Sequence, residues 1–576
     1  MKKLFLLLAI ADVLWLTAQP DSTAITSILE EIDRLESDFE PDSSFNWKSG
    51  YFFLLVDQKE KRAKELSVVI NKLEKIDERD LSRQDQINKS ILLLKLKNEV
   101  SEVTFREYLL PFNAEGGFYN EGTYSLRNRS FIKASDYDDY LLCLKAYNRY
   151  LKYNLELLKS GIDQNVMRPE VIVKNTISLL QPWVGPIGSH PFYQPFLDMS
   201  KALTNDETTA IQQKGKELLL KEVIPTYSRI LDFFTNTYLP ASPKTEGIAN
   251  IKNGNAYYED RVRFFTTLEI TPDSVYSLGQ SEVNRIRARM EGIISELNFD
   301  GNFSEFINFL RTDAQFYAGS PEELLSRAAW LSKKAEGQLP RLFGELYELP
   351  FTVEPVPDAI APTYTGGRYV PGSRRGNRAG IYWVNTYDLS SRPFYTLPAL
   401  TLHEAVPGHH LQIMMSAELT DIPVFRNNYY ISAYGEGWGL YSEYLGEEMG
   451  MYETPYDLFG RYTYEMWRAC RLVVDVGLHY KGWTRQQAVD FLASNTALSL
   501  HEVNTEIDRY IGWPGQALSY KMGEITIKTL REKAESKLGG DFDIQEFHQC
   551  ILENGSVPLT VLKDEVEAYI LRAQRD

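Results

Sequence analysis

Apolar residues recur at three- and four-residue spacing along most of the chain, which predicts helices. The pattern is clear over 62–76 (RAKELSVVINKLEKI), 87–100, 281–297, 321–336 and 556–573. Ser320-Pro321-Glu322-Glu323 predicts a helix start. It offers a capping hydroxyl, a proline where no N–H is needed, and acids at the positive end of the helix. Residues 484–494 and 541–551 have similar starts. The pattern breaks over 350–397, where Pro, Gly, Tyr and Arg crowd together, and Pro-Gly and Gly-Gly punctuate turns. Inside that stretch Ile381-Tyr382-Trp383-Val384-Asn385 has strand composition. The prediction is a mainly α protein with one small β-sheet. The sheet has two readings: an edge that an extended peptide could join, with Asn385 as a candidate substrate contact, or a structural hairpin. A Pro-, Gly-, Ser- and Asn-rich run at 240–255 separates an N-terminal helical region, 19–245, from a second region, 246–576. The two could equally be lobes of one continuous body.

Composition narrows the classes. A chain of 576 residues can bury a large core, and 43% hydrophobic with 24% charged residues is ordinary globular content. The 79 acidic against 62 basic side chains give a net charge of −17. That balance argues against binding nucleic-acid backbones or anionic lipid surfaces, which call for clustered positive charge. Lys2 and Lys3 precede a short apolar run, and Ala18 supplies a small residue. Residues 1–18 therefore read as a secretory signal peptide, with the mature protein periplasmic or secreted by a bacterium. No cysteine follows Ala18, so a lipid anchor at that point is not expected. No later run of 18 apolar residues exists, so no stable membrane insertion is expected after signal cleavage. Cys143, Cys470 and Cys550 are too far apart for a disulfide framework or a metal knuckle.

The chemistry concentrates in one place. Three of the seven histidines lie within eight residues, in Leu402-His403-Glu404-Ala405-Val406-Pro407-Gly408-His409-His410. Histidine, an adjacent glutamate and a second histidine on one helix face make a zinc site in which the glutamate acts as base. The usual spacing of four is absent, because Pro407 stands there. On a straight helix, offsets of six or seven residues are about 9–10.5 Å of rise, too far for two side chains to share an ion. Pro407 cannot continue the helical hydrogen bonding and Gly408 relieves the backbone. A kink there would bring His409 back to His403, while His410 is the rival that a regular helix would favour.

A third ligand should follow on another helix. Glu436 and Glu443 are seven apart in GEGWGLYSEYL and share a face. Glu436 is the expected ligand and Glu443 the residue that orients a ligating histidine. The flanking Gly435, Gly437 and Gly439 allow close helix approach. Glu447 and Glu448 read as solvated. Further on, Arg509, Tyr510 and Tyr520 could donate to a developing oxyanion, and Gln516 could hold substrate. His501-Glu502 is a second His-Glu pair, read as structural.

Taken together, LTLHEAVPGHHLQ, GIYWVNTYDLSSRP, GEGWGLYSEYL and RYIGWPGQALSYKMG resemble the bacterial proteins grouped as domain-of-unknown-function family 885. That group is distantly similar to helical zinc peptidases such as thimet oligopeptidase, carboxypeptidase Taq and angiotensin-converting enzyme. The resemblance implies a large helical fold with a long cleft and one zinc ion. It implies His403, His409 and Glu436 as ligands and Glu404 as general base. An Arg-Tyr pair similar to Arg509-Tyr510 implies Tyr510, over Tyr520, as the oxyanion donor. The expected activity is a zinc-dependent metallopeptidase hydrolysing short peptides. The alternatives are an inactive binding or scaffold protein of the same fold, or a zinc hydrolase of a non-peptide amide or ester.

Overall fold

The computed structural model describes residues 23–38, 54–122, 129–358, 360–374, 376–420, 422–427 and 429–575. The stretch read as a signal peptide lies outside them. The protein is mainly helical with a single three-stranded sheet. Predicted helices appear at Val56–Lys75, Arg83–Thr104, Pro321–Glu336, Arg485–Asn495, Ile544–Leu552 and Leu559–Ala573. The Ser320 hydroxyl accepts from Glu323 N–H and Pro321 occupies the first turn, as the sequence pattern predicts.

Seven helices position the site: α1 (Pro272–Glu296), α2 (Leu397–Glu404), α3 (His409–Glu418), α4 (Ser432–Glu448), α5 (Pro455–Tyr480), α6 (Leu500–Gly512) and α7 (Leu518–Leu538). Helix α5 is the axis of this half. It starts with a capping box between Thr454 and Asp457, and from Thr463 to His479 every residue is buried. A helix buried on all sides must satisfy its charged side chains internally. It does so through a closed ion network with α1 and α7. Lys521 is 0% exposed and sits 2.8 Å from Glu465 and 3.0 Å from Glu282, with Glu524 also paired to it.

One apolar core runs across the 245/246 position, joining Tyr147, Tyr227 and Phe234 to Met290, Trp467 and Ile507. Ile248 N–H donates to His479 Nδ1 at 3.2 Å, tying the connecting segment to α5.

The sheet holds β1 (Phe351–Pro355), β2 (Gly367–Val370) and β3 (Gly380–Val384) in the order β1-β3-β2. Strand β1 runs parallel to β3, and β2 antiparallel to it, with Tyr369 opposite Tyr382. Strands β1 and β2 are the two edges, and β2 is the edge that lines the cavity with His403 and His409. No helix among the described residues is long and apolar enough to cross a membrane. All three cysteines are buried and unpaired with one another.

Candidate metal centre

The helix carrying His403 does not kink at Pro407. It ends. Helix α2 stops at Glu404, residues 405–408 form a turn, and α3 begins at His409. The turn is held by Trp438 Nε1, which donates to the Pro407 carbonyl at 2.7 Å. Glycine is required at 408, because a Cβ there would lie 1.9 Å from the His403 carbonyl oxygen and 2.4 Å from that of Leu402. The chain therefore doubles back on α2, and the His403 and His409 rings meet edge to face with centroids 4.8 Å apart.

Glu436, on the first turns of α4, completes the group. Its Oε2 lies 3.4 Å from His403 Nε2 and 3.5 Å from His409 Nε2. All three ligand atoms fall within 4.8 Å of one another. The 3.4–3.5 Å separations are long for good N–H···O hydrogen bonds. They match the edge of a tetrahedron with 2.0–2.1 Å metal–ligand bonds, about 3.3–3.4 Å. His409 Nδ1 is buried without a hydrogen-bond partner among the described residues. Two imidazoles and one carboxylate are the donor set of a catalytic zinc site, and the group fits one ion.

Helix α4 shapes the space around the first ligand. A Cβ at Gly439 would stand 2.6 Å from His403 Cε1, so a side chain there would collide with the ring. One turn on, Glu443 Oε1 accepts from His403 Nδ1 at 2.8 Å, which turns Nε2 toward Glu436. Burial opposes a charge on His403, but Glu436 and Glu443 outweigh it and hold its pKa at about 9. Burial likewise opposes charge on Glu436, and the two histidines outweigh it, keeping the carboxyl well below its ordinary range.

Glu404 points at the edge strand. Its Oε2 accepts the Tyr369 N–H of β2 at 2.8 Å, placing the carboxylate on the same cavity as His403, His409 and Glu436. His410 goes the other way. It is 0% exposed, shares a 2.9 Å hydrogen bond between Nδ1 and the Tyr369 hydroxyl, and packs against Tyr347 and Phe351. Burial lowers its pKa to about 4, so it is a neutral core residue bracing the sheet. The break at 405–408 brings His409 and not His410 beside His403, because only an unbroken helix would return His410 to the face of His403.

The cavity is about 230 Å³. Tyr520 lines it, with its ring stacked 6.4 Å from that of His403. Tyr510 is not part of the cavity wall. Its hydroxyl accepts from Trp467 Nε1 and Arg471 Nε, both at 2.8 Å, inside the packing between α5 and α6. Arg509 lines the cavity and pairs with Glu506 at 3.3 Å, and with Gln516, which stands behind it. Asn385 is buried beyond the cavity, its Nδ2 donating to the carbonyls of Ala361, Tyr364 and Thr365. Of the second His-Glu pair, His501 is exposed and Glu502 reaches the cavity wall.

Sequence reasoning missed several residues of that wall. Tyr430 donates to Glu436 Oε1 at 3.3 Å, Arg368 projects from β2, and Arg468 and Arg471 enter from α5. The available signal was Tyr464, Trp467, Arg468 and Arg471 at helical spacing on one face of α5.

A structure of a candidate lipoprotein from Colwellia psychrerythraea is similar to this chain at 28% identity and TM-score 0.84, covering 95% of this chain and 97% of that one. A candidate lipoprotein of unknown function from Shewanella oneidensis shares the fold at 17% identity and TM-score 0.69, over 94% and 98% of the two chains. No curated protein matches. The sequence profile of the bacterial proteins of unknown function called DUF885 spans residues 56–566, and the chain belongs to that family.

Proposed function

We propose that this protein is a zinc-dependent peptidase, a hydrolase of short peptides. The observation that carries the reading is the convergence of two imidazole Nε2 atoms on one carboxylate oxygen at 3.4 and 3.5 Å, with Glu404 on the same cavity. His403, His409 and Glu436 would hold a zinc ion, which when bound would supply Lewis acidity toward a carbonyl and a water.

The remaining work falls to the protein. Glu404 has one oxygen fixed by Tyr369 N–H, so its carboxylate keeps one position while it takes a proton from the attacking water. It then passes that proton to the departing nitrogen, a role that contributes about 10²–10⁴ in rate. The Tyr520 hydroxyl donates to the carbonyl oxygen as negative charge develops there, and such a donor contributes about 10²–10³. Strand β2 is an edge on the cavity wall, alongside which an extended peptide can lie. The Colwellia neighbour's description as a candidate lipoprotein and the composition of residues 1–18 both support a place at the bacterial envelope, outside the cytoplasm.

The test is digestion of a mixed peptide library by purified protein with zinc, with chelator, and by the Glu404→Gln variant. The reading expects cleavage that chelator abolishes and zinc restores. It expects Glu404→Gln to keep stoichiometric metal and lose at least about 10²-fold in turnover. Stoichiometric zinc without cleavage of any peptide would contradict it.

A further inference from the structure

The face of α5 that enters the cavity carries two arginines with unspent hydrogen-bonding capacity. Arg471 is 2% exposed and Arg468 4%. Arg471 uses Nε on the Tyr510 hydroxyl and Nη2 on Glu506, while its Nη1 is buried with no hydrogen-bond partner among the described residues. Arg468 is poorer still. Its Nη1 reaches the Tyr464 carbonyl only at 3.5 Å, its Nη2 lies 3.6 Å from Glu443, and its Nε has no hydrogen-bond partner among the described residues. The acids paired with them are already shared, since Glu443 serves His403 and Glu506 also pairs with Arg509, and Glu502 on the cavity wall faces both arginines without a hydrogen bond to either. A buried guanidinium with open N–H groups is costly unless an anion meets it, and its planar fork suits a carboxylate.

The spacing to the metal centre sets the size of the ligand. Tyr520 stands between the two features. The Arg471 guanidinium carbon lies 4.1 Å from its ring centroid, and the His403 ring lies 6.4 Å away. Arg468 is nearer along another route, since Glu443 touches both it and His403. An extended chain advances about 3.3–3.6 Å per residue, so one or two residues fit between a carbonyl at the histidines and a carboxylate at the arginines. Tyr464, Trp467 and Tyr520 line the space between, which favours an apolar or aromatic side chain there.

We propose that Arg468 and Arg471 bind the free C-terminal carboxylate of the substrate, making the enzyme an exopeptidase that releases one or two residues from the C-terminus. This rests on the peptidase reading above. In the reaction, water adds across the last or penultimate peptide bond. The carbonyl carbon gains the oxygen and leaves as a new carboxylate, and the nitrogen gains the proton and leaves as an amine.

Two measurements test it. The first compares hydrolysis of one peptide as the free acid, the C-terminal amide and the N-acetylated acid. Expected is a loss of at least a hundredfold in kcat/KM for the amide, mainly through KM, and little change on N-acetylation. Equal cleavage of acid and amide, or cuts far from the C-terminus, would overturn the proposal. The second is calorimetric binding of acetyl-phenylalanine and of its amide to the wild type, to Arg471→Gln and to Arg468→Gln. The acid should bind at least tenfold more tightly than the amide, and each variant should lose that preference. If neither compound binds, or both bind alike, the anchor is wrong whatever the turnover. If the acid is preferred but no peptide is ever cut, the anchor stands and the peptidase reading falls.

Discussion

Glu443 accepts the Nδ1 proton of His403 at 2.8 Å, and this contact fixes which ring nitrogen faces Glu436. Residues that orient a ligating imidazole in this way typically contribute 10–100-fold to metal affinity. Glu443→Gln should therefore still bind zinc, but about 10–100-fold more weakly in competition with a chromophoric chelator. Unchanged affinity would show that His403 is oriented by packing alone.

The two neighbouring histidines should behave differently. His409→Ala removes a ligand and should abolish stoichiometric zinc. His410→Gln should keep it and lose thermal stability, because His410 braces Tyr369, Tyr347 and Phe351. Metal content by plasma emission, with melting curves, separates the two. Zinc lost from the 410 variant and kept by the 409 variant would reverse the assignment.

Gly439→Ala places a methyl group where only 2.6 Å separates it from His403 Cε1. Either the ring or α4 must move, at about 1–3 kcal/mol for overpacking. Both zinc affinity and melting temperature should fall, and a variant as stable and as tightly metallated as the wild type would be inconsistent with this packing.

The Lys521 network makes a stability prediction far from the chemistry. Lys521→Met leaves the buried Glu465 and Glu524 and the half-buried Glu282 with one cation removed. Breaking one member of such a network costs about 3–5 kcal/mol, readable in denaturant unfolding. Replacing Lys521 and Glu524 together by apolar residues should cost less than the single change.

Asp475 gives a pH signature. Burial raises its pKa from 3.8 to about 7, and hydrogen bonds from Tyr258 and from Gly515 N–H at 3.0 Å offset burial only in part. A carboxyl with a raised folded pKa contributes stability that is fully present below the unfolded value. That contribution is lost as pH rises through the folded value. Between pH 5 and 8 the wild type should lose stability relative to Asp475→Asn, by at most about 1.4 kcal/mol per pH unit. Parallel pH profiles for the two proteins would rule this out.

Much of the architecture was legible from pattern alone. The start of the helix at Pro321 follows from Ser320, Pro321 and Glu323, because capping is local chemistry. The approach of His409 to His403 is expected from a proline and a glycine in the wrong place for a continuous helix, though the chain achieves it by ending the helix and not by kinking it. Other choices were not legible. Tyr510 and Tyr520 lie ten residues apart in one motif, and only packing sends the first into the α5–α6 contact and the second to the cavity. A charged residue in a helical pattern, such as Arg468 or Arg471, reads as solvent-facing. That reading fails on a helix buried on every side. Gln516 and Asn385 face backbone and side-chain partners whose positions depend on distant segments.

The most direct measurement is an anomalous difference map recorded at the zinc edge from crystals of the zinc-loaded protein. The account predicts one strong peak within bonding distance of His403 Nε2, His409 Nε2 and a Glu436 oxygen. A peak at His410, a peak elsewhere, or none in zinc-saturated crystals would contradict it.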